Sequence, residues 1–192
     1  MKRIIIFSLI LLFFCSCGGN NDYSPKPRGY FRIVFPEKSY QPYTASCPFT
    51  FLYPKYATIE PDHHADAKPC WINVQFPQFN GTLHLSYMPI RSKKEFDELV
   101  EDAHKLTFKH TIKATGIDEG TISYPDRKIY GIYYTIDGNA ASSLQFFLTD
   151  STKNYIRGAL YFNTAPRLDS IQPVLTFVKQ DVNVLIKSFR WK

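Results

Sequence analysis

Asp62, His63, His64 and Asp66 stand within one short polar stretch, and imidazole with carboxylate is a donor set for zinc or copper. Adjacent histidines aim at one ion only when a turn folds both inward, and no third histidine follows at a convenient ligand spacing. The stretch therefore reads as a solvated loop, not a metal site. His84, His104 and His110 are scattered, and none is set beside a nucleophile in sequence. Asp118 and Glu119 are neighbours, and in a strand they would point to opposite faces, which defeats paired acid and base work. Ser142 and Ser143 follow Asp137-Gly138-Asn139, and turn chemistry with close packing accounts for them without a nucleophile. No G-x-S-x-G, H-E-x-x-H or Gly-rich phosphate loop occurs. The expectation is a chain that is not an enzyme, with no catalytic residue, no metal and no cofactor. The tyrosines of "IYGIYY" and "YIRGALYF", with Arg157, are the candidate contact patch, because Tyr and Arg are enriched where proteins meet. Core packing of half of those rings is the competing reading.

Thiol chemistry falls into two parts. Lys2 and Arg3 precede an apolar run from Ile4 to Phe14 broken only by Ser8, with small Ser16 directly before Cys17, which is the layout of a secretory signal peptide. The run is 11 residues long, against roughly 20 for a helix that spans a bilayer. Phe14-Cys15-Ser16-Cys17 resembles a bacterial lipoprotein box, and Cys17 fits the lipidated position because Ser16 suits cleavage and a polar run begins at Gly18. Cys15 follows two bulky phenylalanines and reads as part of the discarded segment. A lipoprotein cysteine carries a diacylglyceryl group and a further acyl chain of the palmitate type. One chain alone binds a membrane marginally, whereas two or three form a lasting anchor.

Cys47 and Cys70 remain, in an exported chain where disulfides persist. A bridge between them would add about 3 kcal/mol by restricting the unfolded chain. Two buried free thiols are the alternative, and a thiolate metal site lacks a histidine pair at ligand spacing.

Loss of residues 1–16 removes two basic residues and no acid, leaving 21 basic against 17 acidic residues, or +4. A charge of that size describes a solvated surface and does not argue for nucleic acid. The remaining 176 residues suffice for one domain, and an aromatic fraction of 16% can fill its core. Three segments follow: signal peptide 1–16, lipidated N-terminus and Pro-stiffened tether 17–29, and a single α+β domain 30–192.

The elements that must position these residues can be read from periodicity. "YFRIVF" and "PFTFLYP" alternate between prolines and read as early strands, followed by the exposed "EPDHHADAKP". "CWINVQF" and "TLHLSY" alternate around Asn80-Gly81, the signature of a type I′ hairpin, with Pro77 suggesting a bulge or edge. Ser92-Lys93-Lys94-Glu95 is a capping box, and Phe96, Leu99, Val100, Ala103 and Leu106 recur at helical spacing. Four more strands, "GTISY", "KIYGIYYTI", "ASSLQFFLT" and "YIRGALYFN", are joined by turns short enough to require antiparallel neighbours. A closing helix buries Val174, Phe177, Val178, Leu185 and Phe189, with Pro173 in its first turn. The sum is an antiparallel sheet of about six or more strands covered by two main helices.

The aromatic opening strands, the meander and the terminal "LIKSF" are similar to the Mog1/PsbP-like fold. "PKPRGYFRI", "CPFTFLYPKY", "PCWINVQFPQFNGTLHLSY", "YGIYYTIDGNAASSLQFFLTDSTKNYIRGALYFN" and "LIKSFRWK" resemble the gliding motility lipoprotein GldD family of Bacteroidota across essentially the whole mature chain. The resemblance implies a lipid-anchored envelope protein required for gliding and tied to type IX secretion, with other gliding lipoproteins and secretion machinery as partners. It offers no catalytic residues. Cys17 as lipid site and the Cys47–Cys70 bridge match the family pattern. Asp22 is the only acid in the first positions after Cys17, so the expected placement is periplasm-facing, at the outer or the inner membrane. A periplasmic ligand or glycan binder, or a hydrolase using His63/His64 or His84, is the rival reading.

Overall fold

The computed structural model describes residues 32–192; the signal segment, Cys17 and the tether lie outside the described residues. The strands are β1 (Tyr40–Pro42), β2 (Phe49–Thr50), β3 (Leu52–Pro54), β4 (Thr58–Pro61), β5 (Ile72–Phe76), β6 (Gly81–Pro89), β7 (Ala114–Tyr124), β8 (Ile129–Gly138), β9 (Ser142–Thr149), β10 (Asn154–Phe162) and β11 (Arg190–Trp191). Helix α1 (Lys93–Phe108) joins β6 to β7, and α2 (Leu168–Ser188) follows β10. Seven strands form one antiparallel sheet in the order β4-β5-β6-β10-β9-β8-β7. Helix α1 thus carries the chain from β6 to the far edge, and the β7–β10 meander returns it to lie beside β6 over a nine-residue register from Asn154↔Pro89 to Phe162↔Gly81. This α+β architecture, with two main helices and an antiparallel sheet, is the one the periodicity predicts.

The second helix closes one face. Leu175, Val178, Val182, Leu185 and Ile186 of α2 meet Val74, Phe76, Leu83, Leu85, Leu144, Phe146, Leu148, Ile156 and Leu160 of the sheet. Two small ribbons, β1-β3 and β11-β2, complete this layer with Phe49 and Phe51, whose rings run parallel to Phe189. Strand β9 is buried along its whole length, as expected of a strand with a neighbour on either side and cover on both faces. Gly158 makes room for Phe146: a Cβ there would lie 2.3 Å from the phenyl ring.

Several local readings change. "YFRIVF" forms no strand over its described residues; Phe35 instead stacks on Phe177 with ring centroids 4.5 Å apart, and Pro36 follows it. Anchoring through side chains on α2 replaces a ladder. "PFTFLYP" splits into β2 and β3, which pair with different partners. The polar stretch before Trp71 begins as edge strand β4.

Asn80-Gly81 is not a type I′ turn. Pro77–Phe79 form a 3-10 turn closed by Asn80 in the left-handed region (φ 50°), and Gly81 already belongs to β6. Pro125–Arg127 with Lys128 (φ 53°) repeat the device between β7 and β8. In both, proline's fixed φ suits the first 3-10 position and its missing N–H is not needed there. Ser92 Oγ accepts from the Glu95 N–H (3.1 Å) as the capping box requires, but Glu95 reaches back to the N–H of Arg91 (2.8 Å). Pro173 sits in the second turn of α2, and Asn139 of the β8–β9 turn accepts from the Leu168 N–H (3.0 Å) at that helix's start.

Cys47 and Cys70 are joined by a disulfide with Cα atoms 5.6 Å apart. It ties the segment before β2 to the start of β5.

Candidate functional site

On the face opposite α2 lie alternate residues of β10: Tyr155, Arg157, Ala159 and Tyr161. Helix α1 covers only part of this face. Ala103 packs with Tyr134, Phe147 and Tyr155 over β8, β9 and β10, the Tyr155 hydroxyl donates to the Leu99 carbonyl (3.1 Å), and Thr107 reaches Gln145 (3.4 Å). The β5–β6 side of the face is polar. Cross-strand pairing sets Asn73 against His84 and Gln75 against Thr82 between β5 and β6, then His84 against Ala159 and Ser86 against Arg157 between β6 and β10.

These side chains are held by one another. His84 Nδ1 meets Asn73 Oδ1 at 2.7 Å, and the Tyr161 ring stands edge-on to the imidazole with centroids 5.7 Å apart. Thr82 donates to Gln75 (2.6 Å). Arg157 Nη2 donates to Gln145 Oε1 (2.5 Å), which also accepts from Thr107. Small Ala159 forms the floor between His84, Arg157, Gln145 and Tyr161.

Burial pushes the His84 imidazole below its ordinary range, with Asp62 opposing and His64 adding to the effect. Burial likewise lowers His110, helped by the nearby Arg157 guanidinium. A preformed surface of neutral imidazoles, amides, a phenol and one guanidinium is suited to recognition through hydrogen bonds and ring contacts.

The predicted site residues fall as follows. The Asp62–Asp66 stretch brings only Asp62 and His64 together, with His64 Nδ1 2.5 Å from Asp62 Oδ1, and lies near enough to His84 for the charges to be felt. The carboxyl of Asp62 is held down first by the backbone N–H of His64. Among the described residues no group of three or more His, Cys, Asp or Glu could hold a metal ion. Ser142 and Ser143 are buried in β9, and Ser142 donates to the Leu144 carbonyl (3.1 Å). His104 stacks on Phe108 and approaches Glu119 at 3.7 Å. Of the flagged tyrosines, Tyr134 and Tyr155 are core, whereas Tyr161 is half-buried and edge-on to His84. Gln145 and Asn73 are missed by sequence reading. A lone amide at an inward position of an apolar strand is the signal that could have marked Gln145.

Two clefts flank α1. One, of about 400 Å³, lies between Leu99, Glu95 and Arg91 on one side and Tyr87, Met88 and Lys68 on the other. The second, of about 500 Å³, is lined by Phe96, Val100, His104, Tyr130, Ile132 and Phe147 among others.

No curated protein matches the chain. The solution structure of cyanobacterial PsbP (CyanoP) from Synechocystis sp. PCC 6803 is similar at a TM-score of 0.48 and 14% identity, covering 84% of this chain and 98% of that one. The model of the family "Gliding motility lipoprotein GldD" matches residues 20–191, most of the sequence, and the chain belongs to that family.

Proposed function

We propose that this GldD-family lipoprotein is a non-enzymatic assembly or stability factor, linked to type IX secretion, that holds partner envelope proteins near the membrane. Other gliding lipoproteins and components of the secretion machinery are the partners it would serve. Acyl chains on Cys17 would tether the domain facing the periplasm, and the partners would meet the half of the sheet that α1 leaves uncovered. The observation that carries this reading is that half-face. His84, Arg157 and Tyr161, partly exposed there, are pre-oriented by buried Asn73 and Gln145, so binding would cost little further ordering.

The test is a pair of variants in the native host, Cys17→Ala and the double change His84→Ala with Tyr161→Ala. Membrane fractionation, colony spreading and co-purifying proteins are measured together. Release of Cys17→Ala from the membrane, with spreading and partners lost in both variants, is the expected outcome. Normal spreading and secretion in both would sink the proposal.

A ligand or glycan binder, or a hydrolase, is the second reading. It is favoured by the cleft of about 500 Å³, a volume suited to a small molecule. Filling it with Val100→Trp would abolish spreading on that reading and leave it intact on the first.

A further inference from the structure

Arg157 is half-buried on β10, yet among the described residues none of its contacts is with a carboxylate. The amide it rests on is itself incomplete: Gln145 is 1% exposed, its Oε1 accepts from Arg157 and Thr107, and its Nε2 has no partner among the described residues. An unmet N–H in the interior costs about 1–3 kcal/mol. The neighbouring charges do not supply the missing acceptor, since His84 and His110 are donors or neutral acceptors and Asp62 is committed to His64. The Arg157 guanidinium keeps N–H groups beyond the one spent on Gln145, and among the described residues no carboxylate contacts them. A planar group with two oxygens complements them, and the guanidinium fork matches a carboxylate best.

The strip is long. Partly exposed His84, Ser86 and Met88 on β6, next to Arg157 and Tyr161 on β10, run over four residues, about 14 Å at ~3.4 Å per residue. At its far end Met88 leads into the 400 Å³ cleft, where Lys68 and Arg91 supply more positive charge; the one acid there, Glu95, accepts from the backbone of Arg91. A single small anion would leave this length unused, whereas an extended acidic chain fills it.

We infer that Arg157, backed by Gln145, is the carboxylate-binding anchor of a recognition strip for an acidic, extended segment of a partner protein. This rests on the partner-binding reading above and adds the chemistry of the partner.

The full-length protein, purified with its lipid in detergent, is titrated with a capped hexaglutamate peptide and separately with inorganic phosphate, while NMR follows the Gln145 side-chain amide and Arg157 Nε. Saturable shifts of both signals with the peptide, and at least tenfold weaker ones with phosphate, are expected. Arg157→Gln should abolish the response at an unchanged melting temperature. Arg157→Lys, which keeps the charge and loses the fork, should weaken it about tenfold, the effect of one hydrogen bond. Silent signals, an unaltered response in Arg157→Gln, or phosphate as effective as the peptide would each overturn the inference. In the host, loss of spreading in the His84/Tyr161 double variant with normal spreading in Arg157→Gln removes only the acidic partner. Normal spreading in both removes the underlying reading as well.

Discussion

The two faces of the central sheet are built from alternate residues of the same strands, yet they differ in completeness. The α2 face is closed: its core runs from the small ribbons through the sheet to α2, and even its buried charge is fully met. Asp181, 1% exposed, takes the Lys38 ammonium at 2.7 Å, the Tyr40 hydroxyl at 2.9 Å and the Tyr56 hydroxyl, while Lys38 also lies over the Phe177 ring. Burial and the hydrogen bond to Asp181 push the Tyr40 phenol up to about 12, and the same causes raise Tyr56 further. The α1 face is apolar only beneath the helix and polar beyond it, with a guanidinium and an amide whose donors are not all used. One face spends its chemistry on holding the chain together, and the other leaves it available. A buried unmet donor occurs on each side, Gln145 Nε2 on this face and the Trp191 indole N–H by the β11-β2 ribbon, so what separates the faces is the partly exposed Arg157 that meets no carboxylate among the described residues.

That contrast breaks first at Asp181. Asp181→Ala leaves the partly buried Lys38 and two phenols without their acceptor and should cost about 3–5 kcal/mol in urea denaturation, as expected for a broken buried pair. The Arg157→Gln change on the other face should leave the denaturation midpoint in place. Equal losses at the two positions would mean that the faces do not differ in role.

Next comes the covalent tie. Replacing Cys47 and Cys70 together by Ala opens a loop with a sequence separation of 23 and should lower stability by about 3 kcal/mol without changing the fold seen by circular dichroism. Gly158→Ala forces a Cβ into the Phe146 ring and should cost about 1–3 kcal/mol by overpacking, again on the closed face. A neutral outcome would show that the Phe146 pocket can yield.

The open face carries a smaller, pH-dependent signature. Folded His84 and His110 bind protons less readily than the free imidazole value of 6.5, so the unfolded chain holds more protons in the window just below it. Stability should rise with pH through that window and fall as pH drops toward the lowered folded values. His84→Asn should flatten the slope between pH 7.5 and 5.5, measured as denaturation midpoints. Smallest of all, Lys128→Gly relieves a left-handed residue in the β7–β8 turn and should change stability by at most about 1 kcal/mol.

Much of the frame is legible in the sequence because it rests on local rules. Alternation in "CWINVQF" and "TLHLSY" marks the inward residues of β5 and β6 correctly, and Ser92 with Glu95 marks the start of α1. "YFRIVF" misleads because alternation reports a buried side, not a ladder partner, and Phe35 finds its burial on Phe177. The Asn80-Gly81 signal misleads because Pro77 had already set a 3-10 turn.

The candidate site is less legible. Arg157 and the tyrosine runs are visible as residue types, but which rings are core depends on where α1 crosses. Composition and periodicity therefore determine an α+β domain with alternating strands and a capped helix, and the cysteine pattern makes a Cys47–Cys70 bridge the expectation that the structure then shows. The tertiary structure alone decides that β10 pairs with β6, since that contact closes a chain separation that no local propensity encodes. It also decides that α1 packs over β8, β9 and β10 and meets β6 at Met88. That partial cover turns Asn73, His84, Gln145 and Arg157 from scattered polar residues into one surface, because burial and the satisfaction of hydrogen bonds depend on neighbours brought from distant parts of the chain.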